Sequence, residues 1–170
     1  MKALKLALAA ALSLASAGSE AKEFKFSSAK TGALLAKCSK KDAAACYEMA
    51  MRYELGGRGV VRNRFKAQSF FADACELATL AEQKREDKMG SAGGRAMSDL
   101  RKRACLGNAA ALESFASGQC RSLVIYDELC EGGSQEACDN LARMKRDGWA
   151  PKESCSEEIV AKFGGGKPQR

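Results

Sequence analysis

Two overlapping motifs near the start of this 170-residue chain have residue types suited to hydrolysis. Ser27-Ser28-Ala29-Lys30 reads S-x-x-K, and Lys30-Thr31-Gly32 reads K-T-G. In the serine enzymes that use both, the two motifs come from distant parts of a large fold. Here they overlap within six residues and share Lys30, and Ser98-Asp99 is followed by Leu100 rather than by the Asn of an S-D-N motif. With 15 Ser and 16 Lys in the chain, about one S-x-x-K arises by chance. The pattern therefore assigns no catalytic residue, and the segment reads as a short N-terminal helix. The chain has no His. That removes Ser-His-Asp and Cys-His hydrolysis, HExxH zinc proteolysis and His-ligated haem. Glu48, Glu54 and Glu113 are acids or bases by type, but nothing in their sequence surroundings marks a raised pKa, and they read as solvated helix faces.

The eight cysteines are the other reactive groups: Cys38, Cys46, Cys75, Cys105, Cys120, Cys130, Cys138 and Cys155. No CxxC pair and no close set of four occurs, so a zinc site is not implied and no metal is expected. An even count in a small exported chain reads as disulfides. Cys38 with Cys46 and Cys130 with Cys138 share the spacing C-x7-C, and each pair brackets a polar, turn-prone run. Ser39-Lys40-Lys41-Asp42 fills the first and Glu131-Gly132-Gly133-Ser134 the second. A bridge across either clamps an inter-helix turn, worth about 2.6 kcal/mol on the loop-entropy argument. The pairing of Cys75, Cys105, Cys120 and Cys155 stays open; joining Cys120 to Cys155, each ahead of a helical pattern, would leave Cys75 for Cys105. A redox-active thiol among these four is the alternative use.

A third candidate is basic. Arg58, Arg62, Arg64 and Lys66 gather four positive charges at a turn and a helix start, which suits an anion or a partner surface, or simply a solvated loop. The net charge is +7. Apart from Phe65 between Arg64 and Lys66, no aromatic residues interleave with the basic ones, and the charge left after export is modest, so nucleic acid is not an expected partner. Trp149 is the single Trp. It falls in a turn-like run and reads either as a contact anchor or as cover for the last helix pair.

Helices must position these groups. Few aromatic and β-branched residues, with Ala, Leu, Lys and Glu common, favour helix over sheet. Residues 1–17 read as a signal peptide: two lysines, an apolar run over 6–14, then Ala15-Ser16-Ala17. Its removal leaves +5 and no integral membrane segment, and places the protein in the periplasm or outside the cell. Residues 45–53 form one helical pattern, the Gly-rich run 55–60 lets the chain reverse, and Asn63 caps a second helix. In that helix Ala67, Phe70, Phe71 and Ala74 recur at i, i+3, i+4 and i+7. Similar starts at 105–108 and 130–133 give units of roughly 38–74, 75–104, 105–129 and 130–163 within a domain spanning 18–163. First helices are expected at 109–115 and 135–144, and second helices at 123–129 and 156–163. The unit 75–104 is eroded, with a charged run at 83–88 and a glycine loop at 90–94, and 164–170 reads as a disordered tail.

Ala45-Cys46, Tyr53, Gly57-Arg58-Gly59-Val60, Asn63, Lys66-Ala67, Phe70-Phe71 and Ala74-Cys75 resemble the Sel-one-like repeat, a relative of the tetratricopeptide repeat. The C-x7-C pairs make the chain similar to the exported, cysteine-rich Hcp-type proteins of that group, and residues 129–141 resemble their closing repeat. The middle departs from the pattern: Gln83 and Glu113 stand where second cysteines would fall eight after Cys75 and Cys105. The resemblance implies an all-α, disulfide-stapled α/α solenoid whose concave face holds a peptide or protein partner, with no cofactor. It also implies an alternative activity, since some Hcp-type members bind β-lactams and hydrolyse them slowly.

Overall fold

In a computed structural model, residues 25–89, 97–115 and 118–148 are described. They form six helices: α1 (Thr31–Ser39), α2 (Ala43–Leu55), α3 (Arg64–Met89), α4 (Asp99–Glu113), α5 (Gln119–Glu131) and α6 (Gln135–Arg146). Among the described residues the only β pairing is an isolated bridge between Gly57 and Val60. The fold is all-α, each helix packing on the next in chain order, with α2 also touching α4. None of these helices is long and apolar enough to cross a membrane. The expected signal peptide, Trp149, Cys155, the helix at 156–163 and the tail at 164–170 lie outside the described residues.

Small side chains set the helix spacing. Ala45, Met49 and Ala50 of α2 face Ala67, Phe71 and Ala74 of α3, and all six are buried. Tyr53 stacks on Phe70 at 5.5 Å and Tyr47 tilts against Phe71 at 5.9 Å, so rings fill the room that the alanines leave. A second core lies between α4, α5 and α6, around Ala109, Leu123, Tyr126, Leu129 and Met144.

Three disulfides join successive helices: Cys38–Cys46, Cys75–Cys105 and Cys130–Cys138, with Cα separations of 4.8, 4.7 and 4.7 Å. Cys120 is also disulfide-bonded, and its expected partner, Cys155, lies outside the described residues. The α1–α2 and α5–α6 turns share two equivalent backbone hydrogen bonds, one of them from Asp42 N–H to the Lys37 carbonyl and from Ser134 N–H to that of Leu129. Lys41 N–H donates to the Cys38 carbonyl at 2.8 Å, as Gly133 N–H does to that of Cys130 at 2.9 Å. Both residues have positive φ, 69° and 82°. Asp42 and Ser134 then cap the next helix, their side chains accepting from Ala45 and Ala137 N–H.

The Cys75–Cys105 junction differs in length. Its cysteines are 30 residues apart rather than 8, an insertion of 22 residues. The sequence reading breaks the chain into units at 75 and at 105; in the structure α3 runs through Cys75 to Met89, and α4 runs from Asp99 through Cys105. The run 75–104 is therefore not a helix pair among the described residues. It is the second half of α3 and the first half of α4, which lengthen one helix–helix connection. Physically, no Gly or Asx residue follows Cys75 to stop the helix, in contrast to the turns after Cys38 and Cys130. The expected helix start at 109 fails for a related reason. Gly107 looks like a turn residue, but it lies inside α4 where the Phe71 ring packs so closely that a Cβ would not fit. Asn108 is buried and accepts a hydrogen bond from Gln68 Nε2 at 3.2 Å.

A polar clamp closes the base of this longer connection. Glu82 of α3 accepts from Ser98 N–H at 2.8 Å and pairs with Arg101 at 3.1 Å. Burial alone would push the Glu82 carboxyl up, but the Ser98 hydroxyl and N–H and the Arg101 guanidinium outweigh it and hold it below the usual range.

Candidate functional site

The four basic residues of interest sit on the connection from α2 to α3. Gly56 ends α2, its N–H donating to the Arg52 carbonyl. Gly57 and Val60 then exchange two backbone hydrogen bonds of 3.1 and 3.0 Å around Arg58 and Gly59. These two central residues have φ of 53° and 80°, the pair of positive values that a tight two-residue hairpin of the I′ kind requires. Asn63 N–H donates to the Tyr53 carbonyl at 2.8 Å, and its side chain accepts from Lys66 N–H, which starts α3. The turn is thus pinned at both ends.

It is also fastened from below by the segment ahead of α1 and by the first residue of that helix. Phe26 packs on Gly57, and Thr31 Oγ1 donates to the Arg58 carbonyl at 3.2 Å. That segment is held in turn by Arg52, whose side chain is 0% exposed. Its Nη2 donates to the carbonyls of Ser27 and Ala29 and to Glu48, its Nη1 to Thr31, and its Nε to Glu48 again. A buried guanidinium is tolerable because it is paired and its donors are used.

On this frame Arg58, Arg62, Arg64 and Lys66 are all exposed. Arg62 pairs with Glu54 at 3.3 Å, and the Lys66 ammonium lies 5.3 Å from the Tyr53 ring centroid. Neither Arg58 nor Arg64 has a carboxylate within ion-pair distance among the described residues. A hollow of about 290 Å³ opens between Thr31, Tyr53, Val61, Arg62, Asn63 and Lys66.

The surrounding surface carries apolar residues that the sequence reading passed over. Val61 is 84% exposed, Phe65 73% and Leu55 53%. The Phe65 ring lies 5.1 Å from that of Phe115. The register of α3 contained a signal for Phe65: two residues before buried Ala67, it stands about 200° around the helix from the core face. For Val61, in a loop, no comparable signal exists.

The other chemical candidates are occupied by structure. Ser27 N–H and Oγ both donate to Glu48 Oε1, the same oxygen that takes two bonds from Arg52. An oxygen shared among four donors is an anchor for the segment rather than a base for a nucleophile. Glu54 is the partner of Arg62. Glu113, at the end of α4, accepts from Tyr126 Oη at 2.6 Å and from Arg143 at 2.7 Å, tying α4 to α5 and α6. Burial pushes the Tyr126 phenol well up, and the Glu113 carboxylate adds to the shift. No group of three or more His, Cys, Asp or Glu side chains is placed to hold a metal among the described residues. A larger hollow of about 860 Å³ lies between α1 and the second half of α3, over Leu35, Phe70, Leu77 and Leu80.

Comparisons with known proteins return nothing for this chain: no family model, no curated protein and no solved structure matches it.

Proposed function

We propose that the chain is an exported, disulfide-stapled helical-repeat scaffold that binds a protein or peptide partner. One observation carries the reading: the same junction occurs at α1–α2 and at α5–α6, where the end of one helix is cross-bridged to the start of the next over Cα distances of 4.8 and 4.7 Å, and a third bridge joins α3 to α4. Helices stacked through a repeated junction form a short α/α solenoid of the Sel-one-like or tetratricopeptide-like kind, and such surfaces bind extended partners. Oxidised thiols fit an exporting compartment. The reading includes no cofactor, metal or catalytic residue.

The test is selection from a displayed random-peptide library on the oxidised protein, with reduced and alkylated protein as the control surface. Enrichment of defined sequences on the oxidised form alone is the expected result. No enrichment over the control refutes the scaffold reading. An intact-mass adduct with penicillin that disappears in Ser27→Ala refutes it too, and would establish the β-lactam chemistry that the Hcp-type resemblance implies.

A further inference from the structure

We infer that the α2–α3 turn is a docking site for an acidic peptide segment that carries a large apolar side chain. The inference rests on the scaffold reading and moves the contact from the concave face of the helix stack to its edge. Charge complementarity selects the partner. Of the four cations Arg58, Arg62, Arg64 and Lys66, only Arg62 has an ion pair among the described residues, with Glu54. Val61 and Phe65 are both large and mostly exposed in the same stretch. Basic residues around an exposed aromatic group form the usual pattern of a contact surface, because the ring supplies area and the charges supply steering and register.

Rigidity distinguishes this stretch from an ordinary solvated loop. The Gly57–Val60 pairing, the Asn63 cap, the Thr31 bond and the Phe26 packing fix its backbone from four sides. A partner therefore pays little ordering entropy on the protein side. The hollow, lined in part by Tyr53, Arg62 and Lys66, has room for one carboxylate side chain between two basic residues. Arg58 adds a further point. At the hairpin apex it holds a left-handed conformation that Gly or Asn adopts with less strain. The charge there carries a conformational cost that hairpin formation does not require.

An anionic bilayer is the competing occupant of a basic and apolar edge. Arg62 and Arg64 stand in sequence between Val61 and Phe65. Insertion of the apolar groups would drag the charges into hydrocarbon, whereas a peptide can run across both kinds of side chain.

The experiment uses the peptides selected on the oxidised protein, synthesised and titrated by fluorescence anisotropy. The expected peptides carry net negative charge and at least one Leu, Ile, Phe or Trp. Arg58→Asn keeps the left-handed turn and removes the charge. It and Arg64→Ser each weaken binding about 2- to 5-fold, and the pair does so about 10-fold. Phe65→Ser weakens binding about 30-fold, as for an anchor residue. All of these variants keep the wild-type helical circular dichroism. Selected peptides that lack acidic residues, or that bind these variants unchanged, overturn the docking site while the scaffold reading stands. Sedimentation of the protein with phosphatidylglycerol vesicles, lost in Phe65→Ser and not competed by the peptides, overturns it in favour of a membrane surface.

Discussion

Substituting Met for Arg52 removes five donated hydrogen bonds from a fully buried guanidinium while keeping most of its apolar stem. The carbonyls of Ser27 and Ala29 lie near solvent and can take water instead. Glu48 is different, because its side chain is 13% exposed and loses its charge partner. Breaking a buried pair from one side costs about 3–5 kcal/mol. The residual access of water to Glu48 puts this case at the lower end, about 3 kcal/mol, or a fall in Tm of roughly 6–12 °C for a chain of this size. Glu48→Gln is expected to cost a similar amount, since it strands a charge that has no access to solvent. The double change to Met at both positions should cost less than the sum by about 2 kcal/mol, because neither charge is then stranded. Guanidinium unfolding of the oxidised protein gives the free energies, and hydrogen exchange gives the location. The Ser27 amide, which donates to Glu48 at 2.9 Å, should lose protection in Arg52→Met before the α2 amides do. A cost below about 1 kcal/mol, or a Ser27 amide as protected as in the wild type, would refute the claim that Arg52 holds the segment under the turn.

Two further perturbations address the junctions. Lys41 and Gly133 occupy equivalent left-handed positions, and a Cβ on Gly133 meets nothing within 4 Å, so backbone terms alone decide the outcome. Relief of about 1–2 kcal/mol of strain, less about 0.4–1 kcal/mol of added chain entropy, makes Lys41→Gly stabilising by roughly 0.5–1 kcal/mol. Gly133→Ala is expected to destabilise by a similar amount, and urea midpoints moving in the same direction for both would contradict the equivalence. Glu82 sets an acid limit. Its folded carboxyl titrates below the ordinary value of 4.5, so its contacts contribute fully above that value and are lost as pH falls through the lower folded one. Stability measured from pH 5 down to 2.5 should therefore decline less steeply in Glu82→Gln than in the wild type, and parallel curves would show that the clamp contributes nothing.

The short-range features were legible in the chain. Asn63 as a cap, the Ala67–Phe70–Phe71–Ala74 stripe and the polar runs inside both C-x7-C pairs are local signals, and each corresponds to a helix start, a buried face or a turn. The signals that misled were also local. Gly107 carries the same mark as a turn glycine, yet its role is to let Phe71 approach α4, a contact over 36 positions that no window of sequence contains. Cys75 repeats the context of a helix-ending cysteine without the turn residues that would end the helix.

The basic cluster was visible as four charges, but not as a surface. Whether such charges are solvated singly or face one partner depends on where Glu54, Tyr53 and Phe115 stand, and packing decides that. Arg52 reverses the ordinary reading of an arginine as a surface residue for the same reason. Its desolvation is compensated by carbonyls from a segment 23 and 25 residues earlier. The sequence by itself determined the helical class, the turn chemistry and the oxidised cysteines, because propensity, capping and thiol count act over a few residues. Only the tertiary structure decided that Cys75 meets Cys105 across a 22-residue insertion, and that Val61 and Phe65 are left beside the cations. Those outcomes depend on how whole helices pack, a sum of many weak contacts between residues far apart in the chain.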